Sequence, residues 1–376
     1  MTMAYPGYAG FMSENVTAVR ASAYEVPTDQ PESDGTLEWT STVLVVVEAD
    51  AGGCTGLGYT YAHKAVVPLV ESLLAEVVTG RDADDVRGTW LAMLRAVRNL
   101  GTTGLAAMAV SAVDNALWDL KARLHAMPLV DALGAAHDTV PVYGSGGFTS
   151  YDDSTLAAQL SGWVEQGIPR VKLKIGRNPG EDRHRLAVAR KAVGDDTTLY
   201  ADANGAYTIS QAVEWAQILR SEFGVAWFEE PVSSDDLDGL RAVRDRRPGG
   251  LDIAAGEYLP NPWSARAMLA AGAVDCLQLD VTRCLGITGF LEAAAVAAAY
   301  QTDVSAHCAP QQSVHACAAV TRLRHLEWFH DHTRIESMLF DGVLEPSEGG
   351  VLRPNRNDNG NGLYLRQSDA ERFRIA

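Results

Sequence analysis

Val171-Lys-Leu-Lys-Ile175, Thr198-Leu-Tyr-Ala201 and Val225-Ala-Trp-Phe228 are short apolar runs, each followed by a helix-like stretch rich in Ala, Arg and Glu. Their length and β-branched content read as strands. The pattern extends outward on both sides. Val140–Tyr143 precedes them, and Leu251–Ala255, Val274–Leu279, Asp303–Ala306 and His325–Trp328 follow. Eight strand-like runs separated by helices over roughly 200 residues give α/β alternation with a parallel sheet, which matches a (β/α)8-type barrel. A doubly wound sheet gives a similar alternation, so the count alone leaves both open.

Upstream the pattern differs. The first 60 or so residues read as strands, with Thr42-Val-Leu-Val-Val-Val-Glu48 ending at the turn Asp50-Ala-Gly-Gly53. The polar stretch Pro27–Gly35 reads as a mobile loop. From Lys64 to about Ala126 the periodicity is helical, best between Ala106 and Leu124. Gly53, Gly56 and Gly58 form GxxGxG rather than a dinucleotide fingerprint and read as turn glycines.

The chain of 376 residues carries a net charge of −17, which argues against nucleic acid as a partner. Its apolar segment near Gly104–Leu120 is broken by Asp114 and Asp119, so no membrane span is expected. Five scattered cysteines without CxxC spacing fit reduced thiols, and Met1–Val16 lacks a signal-peptide pattern. A cytoplasmic location is expected.

Chemistry gathers at the strand ends. Lys172 and Lys174 lie in the second run, Asp202 and Asn204 end the third, and Glu229 and Glu230 end the fourth. Glu257, Asp280, His307 and Glu327 end the fifth to eighth, in steps of 20 to 30 residues. In a barrel these ends converge on one mouth. Asp202, Glu229 and Glu257 on adjacent strands would repel one another unless a cation sat between them, and an all-oxygen set suits Mg²⁺, with Mn²⁺ acceptable. Lys172 and Lys174, two apart, project from one face, which should lower the inner ammonium toward a general base's range. Asp280 can hold His307 in one tautomer as an acid or base.

Zinc at Cys308, His315 and Cys317, or at His330 and His332, lacks four-ligand spacing. An Asp202–Glu229 glycosidase pair leaves Glu257 and the lysines unexplained. A Schiff-base aldolase-like barrel or a non-catalytic barrel are the rivals from other classes.

These pieces, with Trp227-Phe-Glu-Glu-Pro231, Ala255-Gly-Glu257, Ser305-Ala-His307 and the helix Ala112–Leu120, resemble the enolase superfamily over nearly the whole chain. Within it the mandelate racemase subgroup is the match, because muconate-lactonising-like members carry lysine where this chain has Asp280. The resemblance implies metal ligands Asp202, Glu229 and Glu257, a base at Lys174 assisted by Lys172, and an Asp280–His307 dyad. It implies that Glu327 hydrogen-bonds a substrate carboxylate and that Asn204 and Tyr24 bind substrate, with a polar specificity loop over Tyr24–Gly35. An α+β capping domain (1–133), a barrel (134–340) and a C-terminal segment (341–376) returning to the cap follow, as does a symmetric homo-oligomer. Leu285 departs from the pattern, standing where a second glycine is expected. The expected reaction on a small-molecule carboxylate is dehydration of an acid sugar, an aldonate or aldarate, to a 2-keto-3-deoxy acid, with racemisation or epimerisation of a 2-hydroxy acid as the alternative.

Overall fold

The computed structural model describes residues 14–376, so most of the stretch read for a signal peptide lies outside the described residues. Eight parallel strands form the centre: β4 (Val140–Gly146), β5 (Arg170–Lys174), β6 (Thr198–Asp202), β7 (Trp227–Glu229), β8 (Asp252–Ala255), β9 (Cys276–Leu279), β10 (Asp303–Ala306) and β11 (Leu323–Phe329). Each pairs with the next, and β11 pairs in parallel with β4, Leu326 opposite Val142, which closes the sheet. Closure decides between the two topologies the alternation left open: the chain is a (β/α)8 barrel.

Before the barrel lies an antiparallel sheet of β1 (Ala18–Ser33), β2 (Glu38–Ala51) and β3 (Cys54–Tyr61), backed by the long helix α1 (Gly104–Leu124). Two expectations are corrected here. Pro27–Gly35 is not a free loop, because β1 runs on to Ser33 against β2 with a register break between Pro27 and Glu32. Pairing with β2 supplies the backbone partners that composition alone did not suggest. Gly56 and Gly58 are not turn glycines either. They lie inside β3 against α1, where a Cβ would stand 2.3 Å from the Ala116 carbonyl oxygen and 2.4 Å from that of Ala112 respectively. Only Gly53, with φ of +76°, sits in the turn.

The segment beyond residue 340 returns to this sheet. Asn361 N–H donates to Asp119 Oδ1 at 2.6 Å, and its Nδ2 donates to the Leu57 carbonyl at 3.1 Å. Ala23 N–H donates to the Ala376 carbonyl, and Ile375 N–H donates to the carbonyl of Ala23.

Helix α1 also fixes the loop after β9. The first turn of α2 (Gly286–Ala299) leaves backbone N–H groups without intrahelical partners. Gly286, Ile287 and Thr288 donate theirs to Ser111, Asn115 and Asp114 of α1, all at 2.9 Å. Leu285 takes the left-handed conformation itself (φ +71°), a strain of about 1–3 kcal/mol. Its carbonyl accepts from Trp90 Nε1 at 2.9 Å. The absent glycine therefore leaves the turn in place. All five cysteines are free thiols, and among the described residues no helix is long and apolar enough to cross a membrane.

Candidate active site

The short parallel strands end at one mouth, and their last side chains point into it. Lys172, Asp202 and Glu229 are fully buried, and Lys174, Glu257, Asp280, His307 and Glu327 nearly so. Such charges persist away from water only if they compensate one another. Lys174 Nζ lies 2.5 Å from Asp202 Oδ2; Lys172 Nζ lies 2.7 Å from Glu229 Oε1 and 2.8 Å from Glu327 Oε1.

Donor oxygens of Asp202, Glu229 and Glu257 lie within 4.8 Å of one another. Trp227 Nε1 donates to Glu229 Oε2 at 2.8 Å, while Glu257 Oε2 and the neighbouring Asn204 Oδ1 and Glu230 Oε1 are buried without hydrogen bonds. Three converging carboxylates ringed by unsatisfied oxygens fit a divalent, oxygen-seeking cation.

Burial and the charge of Asp202 raise the Glu229 carboxyl to about 8, whereas the two ammoniums, outweighing burial, hold Asp202 at about 2. The expected lowering of a lysine is not found. Burial does favour the neutral amine, but Asp202 for Lys174, and Glu229 and Glu327 for Lys172, outweigh it and raise both. The carboxylates stand closer to each ammonium than sequence spacing could reveal.

On another side, His307 Nδ1 is 2.7 Å from Asp280 Oδ2, whose other oxygen accepts from Thr282 N–H and hydroxyl, both at 2.7 Å. This leaves His307 Nε2 facing Glu257 Oε2 at 3.3 Å and Cys308 Sγ at 3.2 Å. Burial opposes an imidazolium here, yet Glu257, Glu327 and Asp280 raise the His307 pKa above its ordinary value. Glu327 Oε2 accepts from Cys308 N–H at 3.2 Å.

A cavity of about 420 Å³ opens over Lys174, Asn204, Glu257 and His307. Tyr24 is not part of it; it is buried in a separate cluster with Val26, Leu44 and Tyr59. The alternation of β1 turns Tyr24 inward. From the cap, Asp34, Thr42 and His63 line the cavity beside Leu37, Trp39 and Val43, so its roof is mixed rather than polar. Tyr258, Arg283 and Cys308 also line it; the sequence reading did not place Tyr258 or Arg283 in the site and weighed Cys308 only for zinc, although Tyr258 and Cys308 directly follow the strand-end residues Glu257 and His307. Arg283 stacks over Tyr258, 5.1 Å from its ring centre. Of the zinc candidates, His315 Nε2 donates to the Asn361 carbonyl and His332 stacks on Tyr61, and neither belongs to a metal-capable group among the described residues.

A closed (β/α)8 barrel under an antiparallel cap is the enolase-type fold. Residues 18–134 match the mandelate racemase/muconate lactonizing enzyme N-terminal domain and residues 155–369 the enolase C-terminal domain-like family. The chain belongs to the mandelate racemase/muconate lactonizing enzyme family of the enolase superfamily. It is 33% identical to 3,6-anhydro-alpha-L-galactonate cycloisomerase of Streptomyces coelicolor, over 90% of this chain and 97% of the relative. It is 30% identical to L-talarate/galactarate dehydratase of Salmonella typhimurium, over 92% and 88%. A mandelate racemase/muconate lactonizing enzyme-like protein from Rubrobacter xylanophilus superposes with a TM-score of 0.94 at 54% identity, covering 96% of this chain and 100% of that one. A racemase from S. coelicolor A3(2) with bound magnesium gives 0.89 at 30% identity, with the same coverage.

Proposed function

We propose that the chain removes the α-proton of a carboxylate substrate and expels a β-hydroxyl, dehydrating an acid sugar (an aldonate or aldarate) to a 2-keto-3-deoxy acid. The observation that carries this is the placement of Lys174 and the Asp280-held His307 on strands that are not neighbours, both lining one cavity with Glu257. Mg²⁺, which Asp202, Glu229 and Glu257 would hold, supplies Lewis-acid stabilisation of the carboxylate as charge develops on it.

The protein's own groups do the rest. Lys174 takes the α-proton as the free amine, a state its raised pKa permits once a cation shares the charge of Asp202, and Lys172 keeps a positive charge beside Glu229 and Glu327. Glu327 orients a substrate carboxylate oxygen, and Asn204 offers its unpartnered amide oxygen to a hydroxyl. His307 gives the Nε2 proton to the departing β-oxygen, which leaves as water, and the enol tautomerises to the ketone. Similarity to a dehydratase and to a cycloisomerase of an anhydro sugar acid supports this reading, since water loss and ring opening can both proceed by departure of an oxygen beside an enediolate.

The apolar wall of Leu37, Trp39, Val43 and Phe329 favours a second reading, racemisation of a 2-hydroxy acid with an apolar substituent. The same two bases then act in turn, one removing the proton and the other returning it. Proton NMR of the Mg²⁺-supplied enzyme with aldonates and aldarates in D2O separates them. A 2-keto-3-deoxy product supports dehydration; α-proton loss without a new compound favours the racemase. No product and no exchange from any of these acids or from aryl 2-hydroxy acids overturns both.

A further inference from the structure

A second group of metal-capable donors lies apart from the mouth. Asp29 and Glu32 stand at the register break of β1, and His330 opens the helix α3 (His330–Leu339) that follows β11. One donor atom from each lies within 4.8 Å of the others, and His330 Nε2 is already 2.9 Å from Asp29 Oδ2. Glu32 is fully buried, with Oε2 accepting from Trp39 Nε1 at 2.9 Å and Oε1 without a partner. Tyr151, 5% exposed, lines the same cleft as Asp29 and His330, and its hydroxyl also lacks a partner.

We infer that Asp29, Glu32 and His330, with the Tyr151 hydroxyl beside them, form a second divalent-cation site that joins the cap to the barrel. A buried carboxylate oxygen without a donor is unfavourable, and a cation removes that cost. The neighbouring Arg334 does not hydrogen-bond Glu32: its Nη2 goes to Asp331 at 2.7 Å and to the Pro27 carbonyl, and its Nε has no partner. Arg334 and Asp331 cancel, leaving two carboxylates and an imidazole for a charge of +2.

The mixed nitrogen and oxygen set selects Zn²⁺ over Mg²⁺. Zinc bonds of about 2.0–2.2 Å place two donors at most about 4.3 Å apart, so rotation of the exposed Asp29 completes the set. The ion would anchor Trp39, through Glu32, and Phe329, next to His330; both line the substrate cavity.

The test compares the full chain with Asp29→Asn and His330→Gln after exposure to Zn²⁺ in excess Mg²⁺ and desalting. One more zinc per wild-type chain than in either variant, with a zinc-dependent rise in melting temperature only in the wild type, supports the site. Equal zinc content and equal shifts in all three overturn it. Diffraction from wild-type crystals at the zinc edge gives a reading independent of the variants. An anomalous peak between the three side chains supports the proposal, and a peak only at Asp202, Glu229 and Glu257, or none, refutes it.

Discussion

His307 Nδ1–H donates to Asp280, which Thr282 in turn holds; Nε2 has a proton to give in the imidazolium, the form that the raised pKa of His307 favours. Replacement by Asn keeps a polar side chain but no proton to give. His307→Asn is expected to lower dehydration by about 10²- to 10⁴-fold. Exchange of the α-proton with D2O through Lys174 should persist, which NMR in D2O reads directly. Loss of exchange as well would assign proton removal to His307. Lys174→Ala should stop exchange and dehydration together, while leaving the fold intact by circular dichroism. The strand-end residues were legible in the sequence because a barrel sends consecutive strand ends to one place, so spacing alone gathers Asp202 through Glu327. Tyr24 was not legible: it pairs with Leu44 of β2 ahead of the register break, and which face of β1 meets the cap's own core is not revealed by composition. The lysine pKa direction was hidden for the same reason, since the deciding carboxylates come from other strands.

Elements meet closely where α1 crosses β3. A methyl at Gly58 would stand 2.4 Å from the Ala112 carbonyl oxygen and 2.4 Å from the Ala116 N, both backbone atoms that cannot yield alone. Gly58→Ala is therefore expected to destabilise the fold by about 1–3 kcal/mol, seen as a lower urea midpoint. No change would mean that the helix and sheet can separate freely. The barrel strands were readable as apolar runs bounded by helices. The cap was read only as strands then helices, and the hydrogen bonds from α1 to the start of α2 join segments too distant for any periodicity to connect.

Across the whole molecule, cap and barrel share a buried acid. Tyr59 of β3 donates to Glu336 Oε1 of α3 at 2.5 Å, and Oε2 has no partner. Burial raises this carboxyl from 4.5 to about 8. The unfolded chain thus releases the proton near pH 4.5 and the folded chain near 8. Stability from this group is complete below the lower value and is lost as pH rises through the window. Glu336→Gln should flatten the decline in melting temperature between pH 5 and 8; an unchanged slope would place the titration elsewhere. Mg²⁺ at a hundredfold its Kd should stabilise the fold by about 2.7 kcal/mol, and EDTA should remove both that gain and turnover. A melting temperature indifferent to Mg²⁺ would count against a site at the three carboxylates.

The bonds from Ala23 to Ile375 and Ala376 set a timetable for synthesis. At a ribosomal pace of about 5–20 residues per second, Ala23 emerges on the order of tens of seconds before its partners exist. Throughout that interval the outer edge of β1 is open to any passing strand. Pro27 and Pro31 in that edge offer no N–H to an intruder, so the nascent chain is guarded against aggregation while the barrel is being made.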